Sequence, residues 1–119
     1  MTLHLFSEQH TILARWDDPQ GVLRTAQDAV ELLMNARYQG SDRLIIGQEQ
    51  LAPAFFELSS GLAGDILQKF STYGGYLAII GDFSGYTRAS WRAFMTESNR
   101  MGRIHFVADL AEAKRVLTQ

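Results

Sequence analysis

The sequence contains no cysteine, which excludes disulfide scaffolds, thiolate metal sites, redox switching and cysteine nucleophiles. It also has no uninterrupted apolar run near the roughly 20 residues that a membrane-spanning helix needs. Its opening, MTLHLFSEQH, lacks the basic and then apolar order of a signal peptide. We therefore expect a cytoplasmic protein that does not enter a membrane.

An excess of charge of either sign is missing as well. Eleven Lys and Arg side chains against thirteen Asp and Glu give a net charge of −2, which removes the whole-domain electrostatic case for nucleic acid or an anionic membrane. Hydrophobic residues at 46% and charged residues at 20% are typical of a globular protein. With 119 residues, below the roughly 150 used as a guide to one domain, we predict a single domain over residues 1–119.

Motifs of known chemistry are absent too. No nucleophile elbow, Walker loop or dinucleotide-binding glycine motif occurs, and no carboxylate pair stands out beyond helix capping. His4, His10 and His105 are far apart, and none has a second metal ligand three or four residues away. We therefore expect no metal, no cofactor and no catalytic set, with His105 a structural residue in a strand.

The first half of the chain predicts a hairpin, a helix and a buried strand. Apolar-rich runs at 2–6 and 11–16, separated by residues 7–10, are typical of a β-hairpin. Thr25 and Asp28 imitate a capping box at a helix start. The run at 43–46 predicts a strand buried on both faces, and residues 48–58 form a connector. The apolar positions of the helix recur at three- and four-residue spacing: Ala26, Ala29, Val30, Leu33 and Met34.

The second half alternates helices with strands. Residues 76–80 and 103–107 predict buried strands, Gly74 ends the helix before the first of them, and Asp109 with Glu112 caps a final helix. This alternation predicts an α/β fold with a mostly parallel sheet of about five strands, an N-terminal hairpin and about four helices. The apolar positions of the second and third helices are Leu62, Ala63, Ile66, Leu67, Phe70 and Tyr73, then Trp91, Phe94, Met95 and Ser98.

Polar residues follow the predicted strands at the carboxyl edge of the sheet, where ligands and partners meet open α/β sheets. Ser59 and Ser60 precede Gly61 at the start of the second helix, where they either cap the helix or present a hydroxyl whose phosphate the helix end would stabilise. Asp82 and Ser84 either bind a cation, polar ligand or partner, or form a turn before the third helix.

Two further groups of residues allow alternative interpretations. The stretch 88–103 holds four arginines against the single acid Glu97, which indicates a solvated helix face or a local positive patch. The large aromatics fall mostly on apolar faces and are assigned to the core. For Phe55 and Phe56 an exposed contact patch is the alternative. The arginines are Arg88, Arg92, Arg100 and Arg103, and the aromatics are Phe55, Phe56, Phe70, Tyr73, Trp91 and Phe94.

A set of short motifs between residues 27 and 117 resembles a bacterial family known as domain of unknown function 4180. The set is specific only as a whole, since no member is diagnostic alone. The family name implies no activity. The motifs are Gln27-Asp28-Ala29, Asn35-Ala36-Arg37-Tyr38, Ser59-Ser60-Gly61-Leu62-Ala63-Gly64, Lys69-Phe70, Gly81-Asp82-Phe83-Ser84 and Glu97-Ser98-Asn99-Arg100.

The order of elements also resembles STAS domains, whose best-known members are anti-sigma-factor antagonists. A buried strand, Ser-Ser-Gly-Leu at a helix start, Gly-Gly-Tyr-Leu-Ala-Ile-Ile-Gly and a late Asp-Leu-Ala-Glu-Ala carry the likeness. It implies a non-catalytic βα superhelix that a kinase switches by phosphorylating Ser60. The sequence departs from this pattern at Leu58, where regulatory STAS domains usually carry an aspartate.

The leading functional hypothesis is a non-enzymatic regulatory or protein-interaction module of STAS-like fold, which uses Ser59, Ser60, Asp82 and Ser84 at the carboxyl edge. The alternative is a small-molecule or anion-binding domain that uses the start of the second helix and Asp82. We expect a protein partner, with a homodimer through a helix face or the N-terminal edge strand as a further possibility.

Overall fold

Five strands and four helices alternate along the computed structural model, which describes residues 2–119. The predicted α/β class with five strands and four helices is therefore confirmed. Three short 3₁₀ turns, at Gln48–Gln50, Pro53–Phe56 and Leu58–Ser60, occupy the predicted connector. The elements are β1 Leu3–Glu8, β2 Thr11–Trp16, α1 Ala26–Gln39, β3 Arg43–Gly47, α2 Leu62–Tyr73, β4 Tyr76–Ile80, α3 Ala89–Met101, β5 Ile104–Val107 and α4 Leu110–Leu117.

The strands form one mixed sheet in which spatial order follows chain order, from β1 to β5. β1 and β2 pair antiparallel as the predicted hairpin, whereas the other three pairings are parallel. The middle residues of β3, Leu44, Ile45 and Ile46, are at most 1% exposed. This burial explains why the strand is a continuous apolar run, since a parallel strand covered on both faces has no polar side.

Two layers of helices cover the sheet. Side chains from α1, α2 and α3 pack with Leu44, Ile46, Leu77 and Ile79 on one face. These three helices connect parallel neighbours in the same direction, so crossovers of one hand place them on the same side. α4 follows the last strand and is free of that constraint. It packs on the opposite face, where Ala113 and Leu117 meet Leu13, Ile45, Ala78 and Val107.

The predicted caps at Thr25, Gly74 and Asp109 are present. The Thr25 hydroxyl accepts from the Asp28 N–H at 3.1 Å, and the Asp28 carboxylate accepts from the Thr25 N–H at 3.2 Å. At α4, the Asp109 carboxylate accepts from the Glu112 N–H at 2.8 Å. Gly74 closes α2 in the left-handed conformation, with φ of +73°. These bonds satisfy backbone groups that the first or last helical turn leaves without a partner.

Two predictions of helix burial are wrong. Met34 and Tyr73 were assigned to buried stripes, but they are 36% and 42% exposed. In α1 the buried line runs through Ala29, Leu32, Leu33 and Ala36, because that side faces the sheet and α2. Tyr73 lies in the last turn of α2, and its side chain extends into solvent.

The hairpin loop is also shorter than predicted. β1 continues to Glu8, and Gln9 and His10 alone make the turn, with φ of +49° and +67°. Two-residue hairpins favour such turns because their twist matches that of the strands. Residues without a special tolerance for positive φ adopt it at a cost in conformational energy.

Candidate functional site

The start of α2 is tied to the connector by Ser60. Its hydroxyl donates to the Ala54 carbonyl at 2.5 Å and accepts from the Leu62 N–H at 3.2 Å. Gly61 follows with φ of +81°, a conformation that glycine adopts without strain. The predicted serine N-cap is therefore wrong: Gly61 occupies the N-cap position, and Ser60, one residue earlier, ties the first helical N–H to the connector.

Ser59 has different surroundings from Ser60. It is exposed, and among residues 2–119 no hydrogen bond involves its hydroxyl. Ser59 lines a groove of about 670 Å³ between the connector and the segment before α3. Ser60 and Gly61 do not line this groove.

Asp82 and Ser84 form a turn just after β4. One carboxylate oxygen of Asp82 accepts from the Ser84 N–H at 3.0 Å and from the Ser84 hydroxyl at 2.7 Å. These two hydrogen bonds lower the pKa of Asp82 by stabilising its charged form. Both residues are exposed and border shallow depressions beside Phe83, away from the groove. The turn interpretation accounts for every contact that they make.

The groove runs between the connector before α2 and the loop that leads from β4 into α3. We call it the aromatic groove, because Phe56, Tyr86 and Trp91 line it together with polar residues from both segments. Its volume falls within the range of small-molecule pockets, about 300–1,000 Å³. The remaining lining residues are Glu57, Leu58, Ser59, Gly85, Thr87, Arg88 and Ser90.

Ring packing shapes the aromatic groove. The Phe56 and Tyr86 rings stack with centroids 5.0 Å apart and an interplanar angle of 18°. Trp91 packs edge-on against Phe56 at 5.7 Å and is 3% exposed. Fully buried Phe55 supports both Phe56 and Trp91 from the core side. The groove is therefore built directly on the hydrophobic core, which gives its aromatic wall a fixed geometry.

Two polar groups, one beneath the aromatic groove and one at its rim, have no partner in the described part of the chain. Among residues 2–119 the indole N–H of Trp91 has no acceptor, and Arg88 forms no ion pair. Buried polar groups are normally hydrogen-bonded, so an unpaired indole N–H is an exception that needs an explanation. Trp16 shares this feature, in a depression of about 290 Å³ bordered by Asp17 and Asp18.

The four arginines of residues 88–103 do not make one patch. Arg100 pairs with Glu97 on the exposed side of α3, which raises the pKa of the guanidinium and lowers that of the carboxylate. Arg103 donates to the Gly75 carbonyl at 2.9 Å at the opposite end of the sheet. Arg88 borders the aromatic groove, and Arg92 borders the depression beside Phe83.

The aromatic groove was not among the features predicted from the sequence. Trp91 and Phe56 were assigned to the core, and Tyr86 was not singled out. The structure makes Trp91 a core residue and a groove residue at once, while Phe56 is half-buried. The one available signal was the concentration of aromatics in the two segments that precede helices, since such segments usually carry polar turn residues.

Within residues 2–119, no three His, Asp or Glu side chains come close enough to hold a metal ion. The pKa of His105, half-buried in β5, is lowered chiefly because burial disfavours its charged form. None of the helices in the described residues is both long and apolar enough to cross a membrane.

The fold and the site together define an α/β protein with an aromatic groove at the carboxyl edge of its sheet. The sequence model of the family described as "Domain of unknown function (DUF4180)" matches residues 8–117. The chain belongs to this family, as its short motifs indicate. No curated protein matches the chain.

Proposed function

We propose that this protein is a non-enzymatic regulatory module of STAS-like fold, which binds a protein partner at the carboxyl edge around the start of α2. Sequential strand order and three crossover helices on one face support the STAS-like assignment, since they correspond to a βα superhelix. The absence of cysteine suits a cytoplasmic setting. A net charge of −2 favours a protein over a nucleic acid as partner.

The observation that carries the proposal is the bond from Ser60 to Ala54. Ser60 is exposed, yet its hydroxyl holds the connector that forms one wall of the aromatic groove. A phosphate on Ser60 would replace this donor with a group of about −1.5 to −2 charge. The same modification would therefore charge the start of α2 and release the Ala54 carbonyl. Both changes alter the surface that a partner contacts.

Leu58 bears on how a kinase would read this segment. It stands where regulatory STAS domains usually carry an aspartate, and its half-buried side chain packs against the core cluster. An apolar residue at this position anchors the connector instead of presenting a charge. In this proposal the kinase recognises Ser60 without that aspartate, and Ser59 is its exposed neighbour.

The test compares partner capture by the wild-type protein, Ser60→Ala and Ser60→Asp from host lysate, with the intact mass of the protein recorded for phosphate. We expect Ser60→Ala to retain a stoichiometric partner and Ser60→Asp to lose it. Ser71→Asp is the matched control, because Ser71 is exposed at the other end of α2. Retention of the partner by Ser60→Asp, or equal loss in Ser71→Asp, would contradict the proposed switch.

A further inference from the structure

The start of α3 is unlike the starts of α1 and α4. Its N-cap residue is Arg88, no side chain caps its first turn, and that turn contains no acidic residue. α1 and α4 have both a capping side chain and an acid in the first turn. The backbone N–H groups at the start of α3 therefore keep their positive partial charge, which favours a bound anion. A helix start alone does not make a site, so the surrounding contacts decide.

Those contacts are found in the aromatic groove, which α3 enters with its first turn. Trp91 borders the groove at 3% exposure, and its indole N–H, which has no acceptor among residues 2–119, is completely buried. A completely buried N–H offers no contact to a ligand in the groove, so the groups available to an anion here are Arg88 and the first N–H groups of α3.

The two charged residues of the groove have opposite signs and lie on opposite walls. Arg88 stands at the α3 end without an ion pair, while Glu57 stands on the connector wall. A guanidinium binds a carboxylate or phosphate through two parallel hydrogen bonds. Glu57 would repel the same anion from the connector side. An anionic group is therefore directed toward Arg88 and the first N–H groups of α3.

The rest of the groove favours a flat, apolar group. Tyr86 and Phe56 present stacked rings, and Trp91 adds a third ring at an angle. Aromatic walls of this kind bind ligand rings by offset stacking and edge contacts. The volume of about 670 Å³ admits a ligand of metabolite size.

We propose that the aromatic groove binds a small aromatic molecule carrying a phosphate or carboxylate. The ring packs against Tyr86 and Phe56, and the anionic group meets Arg88 and the start of α3. This inference goes beyond the protein-interaction function and does not depend on it. The two are separated by their readouts, since partner capture depends on Ser60 and ligand binding on Arg88 and Tyr86.

The test is a titration of the isotope-labelled full chain with phenyl phosphate, followed by amide and indole N–H resonances. Phenol and inorganic phosphate are the controls, because each has only one half of the proposed ligand. We expect saturable shifts of the Trp91 indole and the Ser90 amide, with a dissociation constant on the order of 1 mM. The Trp16 indole serves as an internal reference that stays unshifted, and Trp16→Phe assigns it.

Variants separate the two halves of the site. Arg88→Gln should weaken phenyl phosphate binding about tenfold, whereas Arg92→Gln, on the same helix but outside the groove, should not. Tyr86→Leu should abolish the preference for phenyl phosphate over inorganic phosphate. The proposal is overturned by an absence of saturable shifts, by equal responses to phenyl phosphate and inorganic phosphate in the wild type, or by unchanged affinity in Arg88→Gln.

Discussion

The two edges of the sheet use the same residue types in opposite ways. At the amino edge, Tyr76 lies between Arg43 and Arg103, and each guanidinium carbon is 4.3 Å from the centre of its ring. Arg43 also donates to the Leu117 carbonyl at 2.9 Å, and Arg103 to that of Gly75 at 2.9 Å. At the carboxyl edge, Arg88 and the Trp91 indole have aromatic neighbours but no acceptor among residues 2–119.

The amino edge of the sheet is therefore interpreted as structural scaffold, and the carboxyl edge as the candidate binding site. Where arginine and aromatic side chains satisfy one another and the backbone, they hold elements together and leave nothing for a ligand. Where an arginine such as Arg88 borders a cavity without an ion pair, it is still available to bind an anion. The amino edge should therefore matter for folding stability, and the rim of the carboxyl edge should matter for binding.

The largest expected effect concerns the support of the aromatic groove. Phe55 is fully buried beneath Phe56 and Trp91, so Phe55→Ala should lower the free energy of unfolding by about 3–5 kcal/mol. Urea denaturation measures this loss. Phe94→Ala, which truncates a half-buried ring stacked on Trp91, is the milder control. A loss below about 1 kcal/mol in Phe55→Ala would mean that the groove wall is not part of the core.

The comparison itself is tested by truncating one arginine at each edge. Arg103→Ala loses a charged hydrogen bond and the contact with Tyr76, which should cost about 2 kcal/mol of unfolding free energy. Arg88→Ala should change stability by less than about 0.5 kcal/mol. Thermal and urea unfolding give both values. Equal losses in the two variants would break the distinction between scaffold and site.

A side chain that caps α3 should stabilise the folded protein and weaken ligand binding at the carboxyl edge. The backbone of Arg88 is extended, with φ of −60° and ψ of 134°, as an N-cap requires. Arg88→Asp and Arg88→Asn should each raise the free energy of unfolding by about 0.5–1 kcal/mol. Both should weaken phenyl phosphate binding, and the charged Asp variant should do so more strongly. A stabilised variant that still binds normally would separate the helix start from the site.

A smaller gain is expected at the hairpin turn. His10 has φ of +67° without the freedom of glycine, so His10→Gly should stabilise the protein by about 0.5 kcal/mol. Ser7→Gly, within β1, is the control and should be destabilising because the strand needs no such freedom. The melting temperatures of the two variants should move in opposite directions. If His10→Gly also impaired partner capture, the strained turn would belong to the functional surface.

Local signals explain most of what could be predicted from the sequence. The caps at Thr25 and Asp109 depend on hydrogen bonds between residues three apart, so the amino-acid order alone specifies them. The apolar runs of the strands specify burial in the same way. Met34 and Tyr73 are exposed because of the way each helix is oriented on the sheet. A periodic apolar pattern predicts that orientation only approximately, so residues at the border of the apolar face can be assigned to the wrong side.

The candidate site was harder to predict, for a physical reason. Asp82 and Ser84 attracted attention as polar residues after a strand, but their side chains satisfy each other. The aromatic groove lies where two connectors distant in sequence meet beside α2 and α3. Phe56 and Tyr86 come from different connectors and carry no motif. Their stacking is a consequence of tertiary structure that local sequence does not encode.

The smallest expected effect concerns His105, on the face of the sheet that α4 covers and away from the groove. Burial lowers its pKa in the folded protein below about 6.5, the usual value in an unfolded chain. Between those two values the unfolded chain binds a proton that the folded protein does not, so stability is full above about pH 6.5 and declines as the pH falls toward the folded pKa. Nearby Glu112 and Arg115 have opposing effects on this pKa.

His105→Gln should therefore flatten the fall in melting temperature between about pH 7 and pH 5. Asp82 and Glu97, whose pKa values are lowered, lose their charge only at more acidic pH and leave this window clear. The dissociation constant for phenyl phosphate should be the same in His105→Gln and the wild type. A changed constant would mean that the two faces of the sheet are coupled, and the site would then extend through β5 to α4.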